Sequence, residues 1–145
     1  MTVLDRSHMT APSPRVVSGA LLSSDRTHVL MGLRKPSGKR PYLWELPGGK
    51  LEPGEVPEVA LVREWLEELD FAIKPVAYVA TAFLDVEISF HIDLYIVEPV
   101  VQGGEPSALD HTELRWIRPF DAVQNLPCSP AFYLHYPHLR RWMVL

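Results

Sequence analysis

Leu46-Pro47-Gly48-Gly49-Lys50, then Glu55, then the run Pro57-Glu58-Val59-Ala60-Leu61-Val62-Arg63-Glu64-Trp65-Leu66-Glu67-Glu68-Leu69-Asp70-Phe71, decides how this chain is read. Pro57 suits the first position of a helix, because the amide hydrogen it lacks would find no partner there. Glu55 and Glu58 suit the positive end of the helix dipole. Val59, Val62, Trp65, Leu66 and Leu69 recur at helical spacing, so a helix over Pro57–Leu69 is expected to pack by one apolar stripe. At 100° per residue, Glu64, Glu67 and Glu68 then share the opposite side as i, i+3 and i+4 neighbours. Like charges at that spacing repel by a few tenths of a kcal/mol. An isolated Glu-x-x-Glu-Glu is most often a solvated acidic face. Several carboxylates converging without enough Lys or Arg are also what a hard dication needs. Arg63 is rotated off this acidic face and is read as a positioning ion-pair partner. Gly48 and Gly49 suit a loop where backbone comes close to a metal or phosphate.

Working outward, Val16 to Leu22 and His28 to Arg34 read as two strands joined by Ser23-Ser24-Asp25-Arg26, which suggests a hairpin. Lys35 to Tyr42 is a basic loop, and Leu43 to Leu46 is a short apolar stretch cut off by Pro47. Beyond the helix, Val76 to Leu84 and Glu87 to Val97 read as strands. In the second, Phe90, Ile92, Leu94 and Ile96 alternate with Ser89, His91, Asp93 and Tyr95. Pro99 to His111 is a long loop, Glu113 to Ile117 a last strand, Phe120 to Val123 one helical turn, and a C-terminal helix follows Pro130. The mixed order of elements argues for an α+β fold with helices packed on a sheet.

Composition sets the bounds. The chain has 145 residues, 14 Lys+Arg, 18 Asp+Glu, 47% hydrophobic residues and a net charge of −4. The length fits one domain with its own core. The charge argues against stable nucleic-acid binding, which needs a basic surplus. Cys128 is the single cysteine, so neither an internal disulfide nor a Cys-based zinc site is expected, and a cytoplasmic setting is the default. No run approaches a membrane span. Residues 1–9 read as a tag or leader around Ser7-His8-Met9, and 10–145 as one domain.

The window Gly49-x5-Glu55-x7-Arg63-Glu64-Trp65-x-Glu67-Glu68-x-Asp70-Phe71 resembles the Nudix box, and Leu46-Pro47-Gly48-Gly49-Lys50 resembles that family's lead-in. Asp70 stands where the family has glycine, at a position expected to take positive φ at a modest cost in stability. The resemblance implies a Nudix fold, a mixed sheet sandwiched between helices. It also implies a pyrophosphohydrolase that uses Mg²⁺, with Mn²⁺ as a possible substitute. It marks Glu67, Glu64, Glu68, Arg63 and Glu55 as the catalytic set and Gly48, Glu64, Glu67 and Glu68 as metal ligands. The partner implied is a small nucleotide, and the chain is expected as a monomer or homodimer. The likeness is to the MutT-type branch, which converts nucleoside triphosphates to monophosphates and pyrophosphate; ADP-ribose or nucleoside diphosphate sugars are the alternative substrates. A non-catalytic nucleotide-binding module is the alternative of another class. Lys50, His91, Asp93, Tyr95, Asp110 and Asn125 are candidate substrate contacts: Asp110 as an acidic loop residue near the metals, and His91, Asp93 and Tyr95 as one strand face; where MutT-type sanitisers of oxidised guanine nucleotides read the base with an asparagine, this chain has Pro130 to Phe132, with Asn125 only nearby, so base preference is open. Trp44 and Cys128 are expected in the core.

Overall fold

The computed structural model describes residues 15–38, 40–85 and 89–144. The proposed leader at 1–9, Lys39 of the basic loop and Glu87 lie outside them. Among the described residues, seven strands and three α-helices follow in the order β1 (Arg15–Leu21), β2 (Val29–Arg34), β3 (Trp44–Glu45), β4 (Gly48–Lys50), α1 (Pro57–Leu69), β5 (Ile73–Asp85), β6 (Ser89–Pro99), β7 (His111–Ile117), α2 (Pro119–Asn125) and α3 (Pro130–Leu139), with a 3-10 turn at Arg140–Trp142. A four-stranded sheet has the order β4-β1-β6-β5, and a three-stranded sheet the order β3-β2-β7. Only the β1–β6 pair in the first sheet is parallel, with Val17 opposite Asp93 and Gly19 opposite Tyr95. The architecture is α+β with helices on both faces of a mixed sheet, as the resemblance implied.

Two cores lie on either side of the four-stranded sheet. One joins Val17, Leu21 and Val97 to Ala60, Leu61, Trp65 and Leu69 of α1. The other joins Ala20, Leu94 and Ile96 to Met31, Trp44, Ala122, Cys128, Phe132 and Leu139. Trp44 and Cys128 are therefore packed side chains, as expected.

The structure corrects three local readings. β1 and β2 do not form a hairpin: β4 and β6 occupy both edges of β1, and only Leu22 and Val29 bridge the two strands. The buried stripe of α1 is Ala60, Leu61, Trp65 and Leu69, while Val59 and Leu66 are 55% and 48% exposed. Trp65 sets this roll, because its indole N–H donates to the Pro47 carbonyl at 3.1 Å. That same carbonyl accepts from the Gly19 amide at 2.9 Å, so one oxygen ties the helix and β1 to the turn before Gly48. In β6 the alternation of buried and exposed positions breaks down: Asp93 is buried, bonded to Arg15 and Thr81. The strand lies inside its sheet, and both faces are covered.

Asp70 closes α1 in the left-handed conformation expected of it, with φ 48° and ψ 45°. The loop that follows β6 folds back over this helix end. Its Ser107 and Leu109 amides donate to the carbonyls of Leu69 and Glu68 at 2.8 and 3.1 Å. Those carbonyls have no partner inside the helix, so the loop supplies one and is held in place by it. This docking brings Asp110 to the acidic side of α1.

Candidate active site

Between the two sheets and α3 lies a cavity of about 660 Å³ with two chemically different ends. At one end are Gly48, Gly49, Lys50, Glu45, Glu68 and Asp110, with Arg34, Lys35 and Arg40 on the facing rim. At the other, Leu84, Phe90, Ile92, Pro130 and Phe132 make an apolar wall closed by His135.

At the acidic end α1 separates the glutamates by burial. The Glu64 and Glu68 carboxyls lie beside each other on the buried side of the helix end. Glu68 Oε2 is buried with no partner. Burial foremost, then the charges of Glu64, Glu45 and Asp110, push the Glu68 carboxyl up to about 9. Burial also raises Glu64, opposed by Arg63. Glu67 stays at the rim, its side chain 57% exposed.

Arg63 is the hub behind this end. Its Nε and Nη2 reach both oxygens of Glu55 at 2.8 Å, Nη2 also reaches the Lys50 carbonyl at 3.0 Å, and Nη1 reaches Glu64 at 2.9 Å and Glu67 at 3.2 Å. A planar guanidinium can serve several acceptors at once in fixed directions. The hydrogen bonds from Arg63 hold Glu55 down at about 2, and those to Glu55 and then Glu64 raise Arg63 well above its ordinary value. Arg63 therefore reaches the acidic face by its long side chain although its Cα is rotated away from it. Glu55 is engaged through both oxygens in holding Arg63, which makes it an orienting carboxylate.

The donor set fits a hard dication on two observations. Glu68 carries a buried oxygen with no partner among converging carboxylates, an arrangement that costs free energy without a cation. Gly49 makes room for the Glu64 carboxylate beside it, since a Cβ there would lie 2.3 Å from the Glu64 carboxyl carbon. Among the described residues no three His, Cys, Asp or Glu side chains stand close enough to hold an ion as they are, and Arg63 engages Glu67 and one oxygen of Glu64.

The remaining candidates divide. Gly48, Lys50 and Asp110 line the cavity. Asp110 also lies 3.8 Å from Lys35 across the exposed rim. His91, Asp93 and Tyr95 do not reach it, because the face of β6 that lines it carries Phe90 and Ile92. Tyr95 instead bonds Glu58 of α1, and the His91 ring packs at a tilt against Phe83. Asn125, the last residue of α2, is exposed outside the lining. Sequence reasoning missed Glu45, His111, Phe90, Ile92 and His135, whereas Pro130 to Phe132, the positions comparable to the base-reading segment of the MutT-type branch, do line the cavity. The one signal in the sequence was the place of Glu45 in the lead-in, two residues before Pro47. Segment 127–129 reaches the cavity because it pairs with β3: the Trp44 amide donates to Pro127 and the Ser129 amide to Trp44, at 2.9 and 2.8 Å.

A family model described as the NUDIX domain matches residues 13–138. The chain is 34% identical over 118 residues to the CTP pyrophosphohydrolase of Escherichia coli K12, covering 81% of this chain and 83% of that one. It is 35% identical over 104 residues to a Mycobacterium tuberculosis H37Rv protein provisionally named 8-oxo-dGTP diphosphatase 2, covering 70% of this chain and 71% of that one. Among solved structures, the E. coli ORF135 protein superposes with a TM-score of 0.75 at 29% identity, covering 88% of this chain and 89% of its own.

Proposed function

The chain belongs to the NUDIX family, and on that premise we propose that it is a metal-dependent pyrophosphohydrolase converting nucleoside triphosphates to monophosphates and pyrophosphate, in the manner of a nucleotide-pool sanitiser. That it is a hydrolase of phosphoric anhydrides follows from the family; the metal and the triphosphate are the proposal. The carrying observation is Glu68, which lines the cavity close to Glu64, Glu45 and Asp110 and has one carboxyl oxygen buried with no hydrogen-bond partner.

Glu64, Glu68 and the rim carboxylate Glu67, with the backbone at Gly48, would hold Mg²⁺, or Mn²⁺ in its place. The ion would supply charge neutralisation on the phosphate oxygens and a water of lowered pKa. The chain's own residues do the rest. Arg63 holds Glu64 and Glu67 in register through its grip on Glu55. The cationic rim of Arg34, Lys35 and Arg40 offers partners to the outer phosphates. Water forms a bond to phosphorus as the bridging P–O bond breaks and pyrophosphate departs; the water's proton passes to a carboxylate of the acidic end. The apolar wall of Phe90, Ile92 and Phe132 provides a dry surface for the base.

A panel of nucleoside triphosphates, ADP-ribose and nucleotide sugars, assayed with Mg²⁺ and scored separately for orthophosphate and pyrophosphate, tests this reading. Triphosphates should give monophosphate plus pyrophosphate at the highest kcat/KM. Faster release of sugar phosphate plus monophosphate would transfer the assignment to ADP-ribose or nucleotide sugars. No hydrolysis with either Mg²⁺ or Mn²⁺ would make the protein a nucleotide-binding module.

A further inference from the structure

Two of the described histidines are buried, and they stand at opposite ends of the cavity. His111 belongs to the acidic end. Its Nε2 meets Glu45, 66 residues away, at 2.9 Å, and its ring lies against Gly32, where a Cβ would come within 2.5 Å. His135 closes the apolar end and is 1% exposed. Its Nε2 donates to the Ile92 carbonyl of β6 at 2.9 Å. A carbonyl oxygen only accepts, so Nε2 carries the proton and Nδ1 is an acceptor. Nδ1 has no hydrogen-bond partner among the described residues. Burial foremost holds the ring below its ordinary value, so at neutral pH it is uncharged and keeps this acceptor.

The buried face of α3 consists of Phe132, His135 and Leu139. Phe132 is core, and His135 follows it by one helical turn on the same face, beside Leu84, Phe90 and Ile92. Ser129 Oγ, the other polar side-chain atom near this end, caps α3 by accepting the Phe132 amide at 3.3 Å. An unpartnered acceptor in apolar surroundings costs free energy that a leucine at position 135 would not. A donor on a bound molecule removes that cost, and a molecule without one leaves the acceptor unpaired in a dry site. The part of a base that projects farthest toward a closed end is an exocyclic group on its ring.

We propose that His135 is a specificity-determining residue, whose Nδ1 accepts a hydrogen bond from an exocyclic amino group of the substrate's base at the apolar end of the cavity. This rests on the reading of the cavity as a nucleotide site. The apolar wall then supplies surface for any base, and the ring of His135 supplies the choice. An amino group at that place pairs with Nδ1, a hydrogen in its stead leaves Nδ1 unpaired, and a carbonyl oxygen meets it as a repulsive neighbour.

The test uses triphosphates that differ by deletion of one amino group: ATP against purine riboside triphosphate, CTP against 2-pyrimidinone riboside triphosphate, and GTP against ITP. Each is measured in KM by turnover with Mg²⁺ and in Kd by calorimetry without divalent metal. Wild type should favour the amino member of at least one pair by about tenfold or more in both. His135→Leu should reduce that preference below threefold, the loss falling on KM and Kd rather than on kcat. His135→Gln, which offers an amide N–H to Ile92 and a carbonyl acceptor beside it, should retain at least threefold. In wild type labelled with ¹⁵N-histidine, the His135 Nδ1 resonance should shift with the favoured amino member and stay in place with its deleted partner. Triphosphate hydrolysis with no preference in any pair would overturn this inference and leave the proposed function standing. So would an unmoved Nδ1 resonance under saturating nucleotide. A lowered Tm for His135→Leu with the preference intact would reduce His135 to a tie between α3 and β6. Failure to bind any nucleotide in either assay would sink both readings.

Discussion

The two ends of the cavity are built on opposite plans. The acidic end comes chiefly from one stretch, Gly48 to Glu68, where a turn and a helix carry charged groups at fixed spacing. The apolar end is assembled from β5, β6 and the start of α3 (Leu84, Phe90, Ile92, Pro130 and Phe132), with no local pattern linking them. The first end stores unfavourable electrostatics: Glu68 is kept buried beside Glu64, Glu45 and Asp110. The second is continuous with the core, since Phe132 is part of the cluster that includes Leu94 and Leu139. One end is a site held by the fold, and the other is the fold itself. Substitutions should therefore separate activity from stability.

The largest effect is expected at the apolar end. Phe132 is 1% exposed, and Phe132→Ala should cost about 3–5 kcal/mol of stability in urea unfolding. A loss under 1 kcal/mol would show that the wall is not core. At the acidic end, Glu68→Gln replaces a buried carboxyl, pushed up to about 9 among like charges, by an amide that cannot ionise to hold a cation. Turnover should fall by about a hundredfold or more, the scale of losing one preorganised electrostatic contact, while Tm stays level or rises. A large drop in Tm with activity retained would erase the distinction between the two ends.

Within the acidic end the contrast is finer. Glu67→Gln should reduce turnover about tenfold at saturating Mg²⁺, and Glu52→Gln, at an exposed turn position, should be nearly neutral. Equal activity of the two variants would detach Glu67 from the site. Smallest of all, His91→Ala and Tyr95→Ala, on the face of β6 turned from the cavity, should leave KM and nucleotide preference unchanged. A shift in KM for either variant would mean that the cavity extends around the sheet edge.

Much of the acidic end is legible in the amino-acid order, because a helix converts sequence spacing directly into direction. Glu64, Glu67 and Glu68 had to share a side, and Gly48 and Gly49 had to lie close to whatever they faced. The left-handed Asp70 is legible for the same reason, as the end of a regular element. Directions are local, but burial is not. Spacing put Val59 and Leu66 with the packed residues, and the Trp65 bond to Pro47 rolled the helix so that both face solvent.

What the sequence determined by itself was thus the α1 register, the glycine turn before it, the α+β order of elements and the family likeness they carry. Tertiary structure alone decided which glutamate is buried without a partner, that Arg63 serves Glu55 as well as the acidic face, and that Phe90 and Ile92 rather than His91, Asp93 and Tyr95 line the cavity. β6 shows the physical reason. Alternation says that neighbouring side chains point to opposite faces, but a strand with both faces covered gives no sign of which face meets the ligand. The pairing of Glu45 with His111 across 66 residues has the same origin, since the order β3-β2-β7 is set by how the whole chain packs.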